Sequence, residues 1–145
     1  MLLALGPAAV VAAPAAEAYT PSAAVTAQYE ARILYLVNYQ RAKYGRGKLA
    51  LSACPERFAE SWTAHLASTG RFYHRNMWTY LDACNASRVA ENIARGNVSA
   101  DRLVTAWMAS PGHRKNILNG YLTRIGVGAV YARGQWTVTT DFARP

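Results

Sequence analysis

Three side chains combine residue types and settings that could support chemistry: His74 in RFYHRN, Glu91 in VAENIARG and His113 in SPGHRKN. Two imidazoles and one carboxylate suffice to hold a divalent metal such as Zn²⁺ while leaving a position open for water, with His74 and His113 as the ligands. The same set could instead use Glu91 as a general base beside a histidine. The chain holds only 3 histidines and 8 acidic residues in 145, so few other constellations are available. Against both stands the plainer alternative that each is a loop or cap residue bonded to backbone. The HExxH spacing that would make metal-dependent hydrolysis specific does not occur.

The elements that must position these residues follow from periodicity and punctuation. Around His113, Ser110-Pro111 reads as an N-cap followed by a first-turn proline, and Asn119-Gly120 as the stop. A histidine in a first helical turn is disfavoured as imidazolium, so His113 is expected to be neutral. The Ser110 hydroxyl is expected to be taken up by backbone and unable to replace a base. Upstream, Tyr29, Ile33, Leu36, Val37 and Tyr44 predict a helix over 28–44, ended by Gly45 and Gly47. A second helix starts at the N-cap Ser52 and runs to Gly70 with Phe58, Trp62, His65 and Leu66 along one face; His65 reads as a packed or partly exposed helix histidine. Residues 71–90 show no sustained period and read as a long loop. Ser99 caps a short helix with Leu103, Val104 and Trp107 inward. Leu122–Ala132 and Gln135–Phe142 read as strands joined at Arg133-Gly134, with Ile93 marking a candidate third strand. Helices around a small, mostly antiparallel sheet give an α+β fold with layers on both faces.

Residues 2–13 are apolar and alanine-rich, and Ala16-Glu17-Ala18 has the small-x-small pattern of a cleavage site, so 1–18 is expected to be a signal peptide, although no Lys or Arg precedes it. Residues 19–28, rich in Thr, Ser and Ala, read as a mobile leader, and 29–143 as a single domain. The remainder has no apolar run long enough for a membrane span. Sixteen Lys and Arg against 8 Asp and Glu give a formal charge of +8, but the arginines are scattered, which argues against specific nucleic-acid binding and leaves attraction to anionic wall polymers or lipid headgroups open. In an exported chain the even pair Cys54 and Cys84 points to a disulfide, which would stabilise the fold by roughly 3–4 kcal/mol. A metal site is the alternative, but the pair fits no zinc spacing.

Taken in order, YLVNYQRAKYGRGKLALS, FYHRN, AENIA, W-x-x-SPGHRKNIL, IGVGA and WTVTTDF resemble the bacterial branch of the CAP superfamily, the SCP-like extracellular domains, over about residues 29–142. The resemblance implies an α-β-α sandwich with a central cleft into which His74, Glu91 and His113 project, a secreted setting, and in some relatives a divalent metal, commonly zinc, held by the paired histidines. Where eukaryotic relatives carry a second cleft glutamate, this chain has Ser110. That weakens any hydrolase needing two carboxylates.

The favoured function is therefore a secreted, non-catalytic domain whose His/Glu-lined cleft binds an extracellular ligand or partner, with a divalent metal optional and with lipid, sterol or anionic cell-wall polymer as candidates. Retention of such a partner should depend on the cleft mouth, for example Tyr73 or Arg75. A metal-dependent hydrolase of wall glycan or peptide, with Glu91 as base, is one alternative; a structural extracellular domain is the other. Asn38 and Arg41 are expected to fix the first helix, and Asn92 and Asn116 to bond backbone near the cleft. Of the four tryptophans, Trp78 is the least secure as a core residue.

Overall fold

A computed structural model describes residues 18–145, so the apolar leader lies almost wholly outside the described residues. Ser22 opens the first helix, α1 (Ala23–Lys43), its side chain accepting from Val25 N at 3.3 Å. The helix thus starts at Ala23 rather than 28: the Ala-rich stretch carries no apolar period, but alanine is the best helix former and a capped start suffices. Arg41 and Asn38 tie α1 to the rest of the domain. The buried Arg41 guanidinium donates to the carbonyls of Gly47, Ile117, Asn119 and Leu122 at 2.7–3.2 Å, and Asn38 exchanges two hydrogen bonds with the Leu49 backbone. Burial pushes the Arg41 pKa down, with the Arg46 charge acting in the same direction.

A two-residue strand, β1 (Ala50–Leu51), leads into α2 (Ala53–Thr69), which Gly70 ends in the left-handed conformation at φ 72°. Ser52 stands at the N-cap of α2 without a side-chain capping bond. The stretch 71–90 is not one long loop, because it contains α3 (Met77–Ala83), capped by Asn76 accepting from Trp78 N at 3.0 Å. Seven residues are too few to show a helical period, so only the cap marks it in the sequence. The Cys54–Cys84 disulfide forms as expected, with Cα atoms 5.7 Å apart, and ties the first turn of α2 to the C-cap of α3.

The rest of the chain is β2 (Arg88–Gly96), α4 (Ala100–Ala109), α5 (Pro111–Ile117), β3 (Arg124–Ala132) and β4 (Gln135–Arg144). The four strands lie in the order β1-β3-β4-β2, all antiparallel except β1 beside β3, so β2 is an edge strand. Arg133 and Gly134 turn β3 into β4 with φ of 53° and 77°, the conformation that a two-residue hairpin requires. Alternation along β4 then divides the sheet. Trp136, Val138 and Phe142 join Ile33, Val37, Val104 and Trp107 in the main core, while Thr137, Thr139 and Asp141 turn to the opposite face, towards α2. Helix α2 reaches that face closely because β3 carries Gly126 and Gly128: a Cβ on Gly128 would stand 2.7 Å from the Ala59 backbone, and one on Gly126 would overlap the Pro55-Glu56 backbone. Helices on both faces of a mostly antiparallel sheet make the α-β-α sandwich anticipated from the sequence. Among the described residues, no helix is long and apolar enough to cross a membrane.

Candidate functional site

Arg75 organises the site from below. It follows His74 in the connection between α2 and α3, and its side chain is 7% exposed. Its Nε donates to Glu91 Oε2 at 2.7 Å and its Nη2 to the Phe58 carbonyl at 2.8 Å, while the guanidinium carbon lies 5.3–5.6 Å from the ring centres of Phe58, Trp62 and Tyr80. The expectation that Arg75 sits at the cleft mouth is therefore corrected, because an arginine between two carboxyl groups and three aromatic rings is an internal strut. Tyr73 does remain exposed.

With the connection pinned in this way, His74 projects over β2 and its Nδ1 meets Glu91 Oε1 at 2.7 Å. The Glu91 side chain is 1% exposed and that of His74 56%. A carboxylate can only accept, so the His74 Nδ1 carries the proton and its Nε2 is the free ring nitrogen. Both Glu91 oxygens are occupied, one by His74 and one by Arg75.

His113 approaches from α5, on the other face of the sheet. Two asparagines register α5 against β2: Asn92 Nδ2 donates to the His113 carbonyl at 3.2 Å, and Asn116 Nδ2 donates to the Glu91 carbonyl at 3.1 Å and to Asn92 Oδ1 at 2.9 Å. The His113 ring lies 6.1 Å from that of Trp107, and its Nδ1 is 3.0 Å from Ser110 Oγ. Here the expectation for Ser110 is corrected. Its hydroxyl makes no capping bond to the α5 backbone and instead holds the imidazole three residues on. Burial lowers the His113 pKa, and the charge of His74 lowers it further, so the two imidazoles stand within electrostatic reach of each other. The direction is the one expected from its helical position, but burial is the larger cause and the His74 charge the smaller.

One participant is not among the residues singled out from the sequence. Asp141 pairs directly across the strands with Glu91 and is fully buried. Arg75 Nη2 lies 2.7 Å from Asp141 Oδ2, but without hydrogen-bond alignment, and neither Asp141 oxygen has a hydrogen-bond partner among the described residues. Burial drives its pKa well above the ordinary carboxylate range; Arg75 opposes this and Glu91 reinforces it. Asp141 is accordingly the member of the carboxyl pair whose protonated form burial favours. The only signal for it was an acid inside the apolar and threonine run WTVTTDF. His65 stays outside the site, stacked on Trp62 with ring centres 4.8 Å apart and bonded to the Tyr73 hydroxyl at 2.8 Å. Among the described residues, no three of His, Cys, Asp and Glu converge as a ready metal-binding group. Two histidines are thus the protein donors this cleft offers, and Glu91 serves one of them as its hydrogen-bond partner.

This fold, with two histidines brought near each other from opposite faces of the sheet, is that of an extracellular-type domain of the SCP-like kind. The chain belongs to the CAP family, described as the cysteine-rich secretory protein family, which it matches over residues 34–142. It is 34% identical over 117 residues to YkwD of Bacillus subtilis (strain 168), a match covering 75% of this chain and 45% of that protein; this chain therefore spans under half of that relative. An extracellular protein containing a SCP domain from Bacillus anthracis superposes with a TM-score of 0.74 at 25% identity, covering 83% of this chain and 42% of that one. An outer surface protein from Borrelia burgdorferi superposes with a TM-score of 0.76 at 17% identity, covering 82% and 94% respectively.

Proposed function

We propose that this CAP domain acts outside the cell by binding rather than catalysis, and that its cleft holds a divalent metal, with zinc the best fit, between His74 and His113, to which an extracellular ligand or partner docks. The observation that carries this reading is the state of Glu91: 1% exposed and with each oxygen held by a neighbouring side chain, it is not open to water or substrate as a general base would be. What it does is orient His74. A carboxylate behind one imidazole and the Ser110 hydroxyl behind the other match the outer partners that orient metal-binding histidines, each fixing Nδ1 and leaving Nε2 to face a ligand. A bound divalent ion would supply Lewis acidity and further coordination positions for oxygen donors of a ligand. With two protein donors the site is an open one.

The test is a calorimetric Zn²⁺ titration of the chain at pH 7.5 and pH 5.5, beside the His74→Ala/His113→Ala double variant. Saturable binding at pH 7.5 that weakens at pH 5.5, where protons compete for the imidazoles, and that disappears in the double variant, is the expected result. Binding that survives the double substitution would refute the metal assignment. Turnover of glycan or peptide substrates that Glu91→Gln abolishes would overturn the non-catalytic reading instead.

A further inference from the structure

Beyond the end of α5, opposite its His113-bearing first turn, lies a second concave region that the cleft does not use. Its basic part, about 680 Å³, is bordered by Arg46, Lys115, Arg88 and Asn119. An apolar part of about 320 Å³ adjoins it, floored by Met77 and Leu81 and flanked by Trp78; Arg88 and Asn119 border both. Among the described residues, none of the three cations lies within ion-pair distance of a carboxylate, and none of their side chains donates a hydrogen bond to the protein. By contrast Arg41, Arg75 and Arg95, also in this small domain, are each engaged by backbone carbonyls or carboxylates. The Arg88 guanidinium is also held in place, 4.5 Å from the centre of the Tyr121 ring, which leaves its N–H edge directed away from the stack. Tyr121 and Trp78 are 61% and 74% exposed, so two exposed aromatic rings border the same trough as Arg88.

We infer that this trough is a binding site for an anionic glycan or polyol strand, a chain of hydroxyl-bearing units that carries phosphate or carboxylate groups. Arg88, Arg46 and Lys115 supply the charge complement, Arg88 with the planar fork that takes a phosphate or carboxylate through two hydrogen bonds. Trp78 and Tyr121 offer flat apolar faces for the carbon face of a ring or polyol unit, and the Asn119 amide can meet hydroxyls. Because the cations line a concavity, the arrangement suits a strand laid into it better than a flat lipid surface. The inference is independent of metal binding in the cleft.

The experiment is equilibrium binding of the full chain, followed by calorimetry, to three soluble polymers (poly(glycerol phosphate), polygalacturonate and neutral dextran), and to vesicles of phosphatidylglycerol in phosphatidylcholine. Two charge-matched variants are compared: Arg88→Gln/Lys115→Gln in the trough, and Arg57→Gln/Arg102→Gln at exposed positions elsewhere. All four substitutions are at exposed residues, and unchanged Tm confirms the fold. Saturable binding to either anionic polymer and not to dextran is expected, weakened at least about tenfold by the trough variant, within about twofold of the parent in the control variant, and weakened several-fold by Trp78→Ala. Preference for phosphate or for carboxylate identifies the anion. Equal losses in both charge variants, no saturable polymer binding, or binding to the anionic vesicles in preference to the polymers would each overturn the assignment.

Discussion

Arg75→Met is the most informative perturbation of the cleft. The substitution keeps an unbranched side chain of similar reach among Phe58, Trp62 and Tyr80 but removes the charge and every donor. Glu91 then loses one of its two 2.7 Å partners while 1% exposed, and Asp141 loses the cation beside it while fully buried. Removing one partner of a buried pair costs about 3–5 kcal/mol, a large part of the ~5–15 kcal/mol that holds a domain of this size together. The two carboxyl groups should not share the penalty equally. Burial favours the protonated form of Asp141, so the uncompensated charge should fall mainly on Glu91. Urea unfolding at pH 7 should therefore show a loss of about 3–5 kcal/mol for Arg75→Met, recovered by more than half when Glu91→Gln is added and little changed when Asp141→Asn is added instead. A loss below ~1 kcal/mol, or rescue by Asp141→Asn rather than by Glu91→Gln, would refute the reasoning.

Asp141 also gives a pH signature. Its folded pKa lies above its unfolded value near 3.9, so the folded chain binds more protons and the contribution of Asp141 to stability, complete below that unfolded value, is lost as pH rises through the folded one. The stability of Asp141→Asn relative to the parent should therefore improve as pH is raised from about 4 towards neutrality; a flat or opposite trend in denaturant midpoints would mean an ionised, Arg75-paired carboxylate. Gly126→Ala should destabilise by at least ~3 kcal/mol, beyond the usual range of overpacking, because the new Cβ meets backbone of α2 that no rotamer change can move; a shift under ~1 kcal/mol in thermal or urea unfolding would show that α2 slides freely on the sheet.

The hairpin was legible because Arg133-Gly134 sits between two runs of alternating residues, and α4 because Ser99 caps an inward Leu103, Val104, Trp107 stripe. The cleft trio was legible because histidine and acidic residues are scarce. The features that stayed hidden share a physical cause: they depend on contacts distant in sequence. Nothing local marks β1, whose two residues become a strand only beside Arg124 and Ile125. Arg75 is adjacent to His74 and reads as a surface cation until β2 and β4 place Glu91 and Asp141 against it. Ser110 has the right type and position for a cap, and only the fold shows that the imidazole three residues away takes its hydroxyl. Arg95 is similar: its guanidinium bonds the carbonyls of Leu66, Gly70 and Arg71 and so closes the C-terminal end of α2, a role that nothing near residue 95 announces.

The asymmetry of the cleft bears on what it can do. A general base must be able to gain and lose a proton in contact with substrate. Glu91 and Asp141 are both acids by type, but Glu91 is 1% exposed and held by His74 and Arg75, and Asp141 is fully buried with burial favouring its protonated form. The groups that reach the cleft surface are the two imidazoles, each fixed through Nδ1 by a side chain behind it. Fixing a ring this way lowers the ordering needed when a ligand arrives. Buried carboxyl groups beneath and oriented imidazoles above fit the binding role proposed for the cleft. The fold also separates the roles of the two ends of α5: its first turn presents His113 to the cleft, and its far end, with Lys115 and Asn119, borders a trough whose cations are free to meet an anion.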